Sequence, residues 1–212
     1  LAGSDYAPPV DPIEILHRDA DLLVAVKPEG LLSVPGKGPA LADCLETRLR
    51  ADDPGVLLVH RLDRDTSGVM VFARNPAAQR HLGLQFERRH VEKRYVALAA
   101  GQVADAEGVI DRPLMADWPN RPRQMVHADG KRAVTRWQVA ARHVGHTRMI
   151  LHPETGRSHQ LRVHLADLGH PIVGDPLYDG PPAPRMMLHA EALSLFHPSG
   201  GARRSFVAPA PF

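Results

Sequence analysis

The nine residues His60-Arg61-Leu62-Asp63-Arg64-Asp65-Thr66-Ser67-Gly68 set a carboxylate between two arginines, with apolar runs on both sides of the segment. A loop held at both ends fixes its side chains in space, so a carboxylate on it, Asp63 or Asp65, is well placed for chemistry. The same residues also suit a plain turn, in which Asp63 or Asp65 bonds its own backbone and Thr66 and Ser67 serve as turn residues. A hydrolase using Asp63 and Asp65 as paired carboxylates is the weaker reading. Side chains so close in a turn seldom face one bond from opposite sides.

A second polar cluster runs from Leu151 to Tyr178, LHPETGRSHQLRVHLADLGHPIVGDPLY. Helical spacing puts His159, Arg162 and Val163 at i, i+3 and i+4, so Arg162 is expected on the same helix face as His159. His159 and His164 miss the i, i+4 spacing of a helical zinc site, and Cys44 is the sole cysteine, so no metal is expected. The third piece is Glu92-Lys93-Arg94-Tyr95-Val96-Ala97-Leu98, where Tyr95 follows basic residues on a strand. A lone strand tyrosine more often packs against its cross-strand neighbours than does chemistry.

Alternating and β-branched runs predict strands near Ile13 to Leu16, Leu22 to Val26, Val56 to Val59, Val69 to Ala73, Arg94 to Ala99, Val134 to Ala140 and Arg148 to Leu151. Short ones are added near Met187 to Phe196. Helices are predicted over Leu41 to Leu49, opened by Pro39; over Pro76 to Arg88, capped by Asn75; and over Ser158 to Leu168, stopped by Gly169. Gly36 to Pro39 and Gly180 to Pro184 read as surface loops. Strands follow one another without regular helical crossovers. The expectation is therefore α+β, a mixed, largely antiparallel central sheet flanked by helices, in a single domain over residues 5–212.

The 212 residues, 43% of them hydrophobic, suffice for a proper core, and no apolar run approaches the roughly 18 residues a membrane span requires. One cysteine suits a reducing compartment, and a cytoplasmic protein is expected. The sequence opens on Leu1 rather than Met, so Leu1 to Ser4 read as a truncated, processed or expression-derived start. Net charge is only +2, but its distribution is uneven. From His60 to Arg94 there are 8 Lys+Arg against 4 Asp+Glu, and from Asn120 to Arg162 there are 9 against 2, whereas the rest of the chain is acidic. Two basic segments of this kind suit either a polyanion-binding face or a solvated charged surface.

Taken in order, the motifs resemble those of the RluA family of pseudouridine synthases: HRLDxxTSG, a Tyr after a basic strand, TGRxHQLRxH followed by GHPIxGDxxY, and the late Leu188-His189-Ala190. The likeness begins at Lys27-Pro28-Glu29-Gly30-Leu31-Leu32-Ser33-Val34-Pro35-Gly36 and runs to the C-terminus. The stretch from Ala116 to Val126, ADWPNRPRQMV, is similar to the branch of the family that modifies both tRNA and large-subunit rRNA.

That resemblance implies the pseudouridine synthase catalytic fold, without an N-terminal S4 domain, and an isomerase that needs no cofactor. Its substrate would be structured RNA: uridine 32 of the tRNA anticodon loop and uridine 746 of a 23S rRNA hairpin, or a single one of these or another RNA. A non-catalytic RNA-binding protein on the same fold is the contrasting alternative. It further implies Asp63 as the catalytic aspartate, Arg162 as its ion-pair partner, and Tyr95 as the ring that stacks on the target base. Arg61 would fill the space the flipped base leaves. His60, Arg121 and Arg123 are also expected to meet RNA, and Arg157, His159 and Gln160 to meet RNA or to brace Arg162, with His60, Thr66, Ser67 and Gly68 holding the loop. Lys131 and Arg132 would add phosphate contacts. A monomer with no membrane association is expected.

Overall fold

The computed structural model describes residues 6–212, so the expectation for Leu1 to Ser4 lies outside the described residues. β1 (Glu14–Arg18) and β2 (Leu22–Lys27) form an antiparallel hairpin. Asp19 closes it: its carboxylate accepts the N–H groups of Asp21 and Leu22 at 2.8 Å. Pro39 opens only a 3-10 turn, Pro39–Leu41, and α1 (Leu45–Asp52) begins later than the sequence suggests. Its cap is Cys44, whose Sγ accepts the Thr47 N–H at 3.4 Å while Thr47 Oγ1 accepts the Cys44 N–H at 3.0 Å. β3 is a two-residue strand (Leu57–Leu58) rather than the four expected, and β4 (Ser67–Ala73) is buried throughout. α2 (Pro76–Glu87) starts where predicted, with Asn75 Oδ1 accepting the Ala78 N–H at 2.8 Å and Pro76 at the first helical position.

The chain then continues through β5 (Glu92–Ala100), β6 (Glu107–Asp111), β7 (Leu114–Ala116), β8 (Gln124–Val126), β9 (Val134–His143), β10 (His146–Pro153), α3 (Gln160–Asp167), β11 (Leu188–Phe196) and β12 (Arg203–Val207). The α+β expectation with a mixed, largely antiparallel sheet holds. Strands β6, β7, β8 and β12 were not anticipated; they are short, polar or rich in exposed positions, so neither alternation nor apolar runs mark them.

Among the described residues two compact units result, 6–92 with 190–211, and 93–189 with Phe212. In the first, β4 lies between β2 and β11, β3 pairs β4, and β12 pairs β11. Its core joins Leu22, Val24, Val69, Val71, Leu82 and Leu195. At Gly68, φ is +122° and an added Cβ would stand 2.2 Å from the Ala190 carbonyl oxygen, so only glycine lets β4 and β11 approach this closely. In the second unit the order is β5-β10-β9-β6, with β7 and β8 as a separate hairpin. Its core includes Ala97, Ala99, Met149, Leu151, Leu165 and Ile172. The hairpin packs against α3 through Leu114, Val126, Val163 and Ala166, with Tyr178 in the same cluster. α3 ends before Gly169, as expected, but His159 is not its member: with φ 53° it stands outside as the N-cap. The expected sharing of a helix face by His159 and Arg162 is thereby corrected.

Candidate active site

In the first unit, the segment between β3 and β4 carries Asp63, half-buried, with Leu62 buried before it and Thr66 and Ser67 buried after it. Backbone bonds hold the loop from both sides. Ser33 Oγ donates to the Leu62 carbonyl at 2.7 Å and accepts the Leu62 N–H at 3.1 Å. Beyond Asp63, the Arg64 carbonyl accepts the Gly30 N–H at 3.0 Å and the Lys27 ammonium at 2.8 Å. Lys27 is fully buried and donates also to the carbonyls of Pro28 at 2.8 Å and Leu31 at 2.6 Å. The Thr66 N–H closes the turn on the Asp63 carbonyl at 3.2 Å.

The two carboxylates of the loop differ in their company. Asp65 takes a two-pronged bond from Arg64, at 2.6 and 3.1 Å. That bond, opposed by burial, raises the Arg64 guanidinium above its ordinary value. Asp65 is thus occupied within the turn. His60 braces the strand: its Nε2 accepts the Val71 N–H at 3.0 Å, and its ring stacks on Phe86 at 4.7 Å. Arg61 is exposed.

In the second unit Tyr95 lies on β5 opposite Leu151 of β10, half-buried against the core. Arg162 leaves α3 to meet Asp175 edge-on, Nε and Nη2 each donating to one carboxylate oxygen at 2.6 Å, with both side chains essentially buried. Such a planar, two-bond pair fixes the guanidinium's orientation more firmly than a point contact does. Its carbon lies 5.1 Å from the centre of the Tyr178 ring, and Arg123 approaches the same ring at 5.2 Å. The Tyr178 hydroxyl accepts the Gln124 N–H at 2.8 Å and pairs with His159 Nδ1 at 2.7 Å. Arg123, His159 and Arg162 therefore converge on one buried tyrosine.

A family model for RNA pseudouridylate synthases matches residues 21–167. The dual-specificity RNA pseudouridine synthase RluA of Escherichia coli K12 is 48% identical over 219 aligned positions that cover all of both chains. The same-named protein of Yersinia pestis is 48% identical, covering 93% of this chain and 99% of its own. The chain belongs to the RluA family of RNA pseudouridine synthases. Among solved structures, human RNA pseudouridylate synthase domain containing 1 superposes with a TM-score of 0.80 at 30% identity, covering 97% of this chain and 86% of that one. Human domain containing 4 gives 0.73 at 26% identity, covering 93% and 88%.

For a pseudouridine synthase, the residues read from sequence sort by what surrounds them. Gln160, expected to contact RNA or to brace Arg162, is buried: its Oε1 accepts from Thr155 Oγ1 at 2.7 Å and the Arg157 N–H at 3.0 Å, while Nε2 donates to the Val134 carbonyl and Thr135 Oγ1 at 3.0 Å. Those bonds occupy the whole amide, so Gln160 ties α3 to β9 and has nothing left for RNA. The chain of bonds continues from Thr135 to His164 Nδ1 at 2.9 Å and from His164 Nε2 to the Arg112 carbonyl at 3.0 Å. Burial pushes His164 below its usual value, which keeps it neutral in this role. Arg157 turns its Nε toward the Arg132 carbonyl at 3.1 Å and stays exposed, as do Arg121, Lys131 and Arg132. Residues that sequence reasoning left unassigned are Asp175, Tyr178 and Lys27. The first two stand in GHPIVGDPLY and the third opens the KPEG stretch, so the signal was in the motifs, without a role attached.

Proposed function

We propose that this RNA pseudouridine synthase acts on two structured RNAs, at uridine 32 of the tRNA anticodon loop and at uridine 746 of a 23S rRNA hairpin. The observation that carries this reading is the 48% identity, across the whole of both chains, to relatives named for dual specificity. In the proposed mechanism Asp63 acts on the ribose of the target, as nucleophile at C1′ or as base. The N1–C1′ bond breaks, the base turns, C5 bonds to C1′, the C5 proton leaves and N1 gains one. The reaction is redox-neutral and intramolecular, so it calls for neither an electron carrier nor an energy donor.

Tyr95 stacks on the target base and assists removal of the C5 proton, and Arg61, exposed on the Asp63 loop, occupies the place the base leaves. Arg162 orients charge for the step, its own geometry set by Asp175. Arg121, Arg123 and Arg157 meet RNA. The enzyme works as a cytoplasmic monomer. The firm bonding around Leu62 and Arg64 supports a catalytic Asp63, because a nucleophile must be held near its attack geometry before substrate arrives. The test is Asp63→Ala assayed by chemical labelling of pseudouridine and primer extension on both RNAs. Loss of product with RNA affinity retained is expected, whereas wild-type product from the variant overturns the assignment. Product at only one of the two RNAs with the unaltered enzyme overturns dual specificity.

A further inference from the structure

Trp118 sits at the tip of the β7–β8 hairpin and is 63% exposed, in contrast to Trp137, the only other tryptophan, which is 4% exposed. The guanidinium carbon of Arg121 lies 3.4 Å from the centre of the Trp118 ring, so one face of the indole is covered by a planar cation. With one face covered and most of the side chain still exposed, the other face is open to solvent.

The tip is held in shape by its own bonds. The Asp117 N–H donates to the Arg123 carbonyl at 3.0 Å, the Arg123 N–H to the Asn120 carbonyl at 3.0 Å, and the Asn120 amide to both Asp117 carboxylate oxygens at 3.1 and 3.0 Å. That last bond also engages the acidic group nearest the tryptophan. Arg121, Arg123, Lys131 and Arg132 leave the hairpin and the turn after it positive. An apolar protein segment would gain little from such a rim, whereas an RNA loop supplies both a π face and phosphates.

We propose that Trp118, capped by Arg121, is a stacking platform for an unpaired base of the RNA other than the target uridine, and so determines which loops the enzyme accepts. A flat, pre-set indole serves any base, and stacking uses the face of Arg121 while its N–H edge still suits a phosphate. The proposal rests on the reading of structured RNA loops as substrates given above.

The experiment uses the full chain with two synthetic RNAs, an anticodon stem-loop and the 23S hairpin, followed by steady-state kinetics and tryptophan fluorescence. RNA is expected to quench the unaltered enzyme, and Trp118→Phe, which leaves Trp137 as reporter, is expected to lose most of that quenching. Trp118→Ala should raise KM roughly 5- to 150-fold, the range that corresponds to about 1 to 3 kcal/mol per stacked base, with kcat little changed. Trp118→Phe should recover most of the affinity, since a smaller π face remains. Absence of quenching with both RNAs, or an unaltered KM for Trp118→Ala on both, overturns the platform. Should the enzyme modify only one RNA yet show both effects on it, dual specificity fails and the platform stands; should it modify both without either effect, the platform alone fails.

Discussion

Replacing Lys27 by Met tests whether the Asp63 loop is held from beneath by a buried ammonium. The side chain is fully buried and bonds the carbonyls of Pro28, Leu31 and Arg64 at 2.6 to 2.8 Å. Bonds to a charged donor contribute about 1.5 to 3 kcal/mol each, so the set is strong, but burying the ammonium costs several kcal/mol and offsets much of it. Methionine fills similar space without that cost. Much of the loss then comes from the carbonyls it leaves. Arg64 keeps the Gly30 N–H at 3.0 Å, while those of Pro28 and Leu31 each lose this donor, at about 1 to 3 kcal/mol apiece. A destabilisation of roughly 2 to 4 kcal/mol is expected, a fall in Tm of roughly 5 to 15 °C at this chain length.

The larger effect of Lys27→Met should be on catalysis, because the Arg64 carbonyl directly follows Asp63 and a misplacement of about 1 Å can cost about 100-fold. Single-turnover pseudouridine formation at saturating RNA, well below the variant's Tm, should slow by about that factor with RNA affinity retained. Lys27→Arg should not rescue it, since a guanidinium fork cannot bring its donors to one point among converging carbonyls. A variant that folds and turns over at the wild-type rate would refute the reasoning: the loop would then be fixed by Ser33 and Gly30 without the lysine.

Asp175→Ala should cost about 3 kcal/mol of stability in thermal or denaturant unfolding, because it removes the carboxylate that takes two 2.6 Å bonds from the buried Arg162 guanidinium; Asp175→Glu should not restore it, since the site is closed around the shorter carboxylate. In the first unit His17 and His197 both meet the Asp19 carboxylate, at 2.7 and 2.9 Å. Burial pushes Asp19 up, but the bonds from His17, the Leu22 and Asp21 N–H groups and His197 outweigh it and hold Asp19 well below the carboxylate range; burial likewise lowers His197, yet Asp19 and the Ser199 carbonyl raise it overall. The depressed Asp19 therefore stabilises the fold above about pH 3.9 and the raised His197 does so below about pH 6.5, so Tm should be highest between those values and decline as pH rises through the His197 value. In Asp19→Asn that alkaline decline should flatten; a Tm profile identical to wild type would count against the pairing.

Much of the frame was legible because local rules decided it. Asn75 followed by Pro76 fixes the start of α2 by capping and by a preset φ, and Gly169 ends α3 with φ +88°. α1 was misplaced because Pro39 is a strong start signal and Cys44 an unusual cap. β6 and β12 pair at positions that are mostly exposed, so nothing in their side chains announces a strand. The β7–β8 hairpin is written in Pro, Asn and Arg, and its strands form through pairing with each other and packing on α3, which is tertiary information.

The site was half-legible for a different reason. A motif tells which polar residues accompany one another, but a residue that presents chemistry and a residue that satisfies a buried backbone look alike in a string of letters. HRLDRDTSG gives Asp63 and Asp65 equivalent surroundings in the letters, and the structure shows Asp65 taken up by Arg64. TGRSHQLRVH gives Gln160 and Arg162 the same standing, yet the first has its amide wholly occupied by Thr155, Arg157, Val134 and Thr135. Lys27, at the end of an apolar strand, would be read as an exposed charge by any pattern rule, since lysines are almost never fully buried unless paired. What buries it is the need of a bent loop for donors: carbonyls at Pro28, Leu31 and Arg64 that no strand or helix can serve. Polar density in these motifs thus measures how much irregular backbone must be satisfied to hold one carboxylate still.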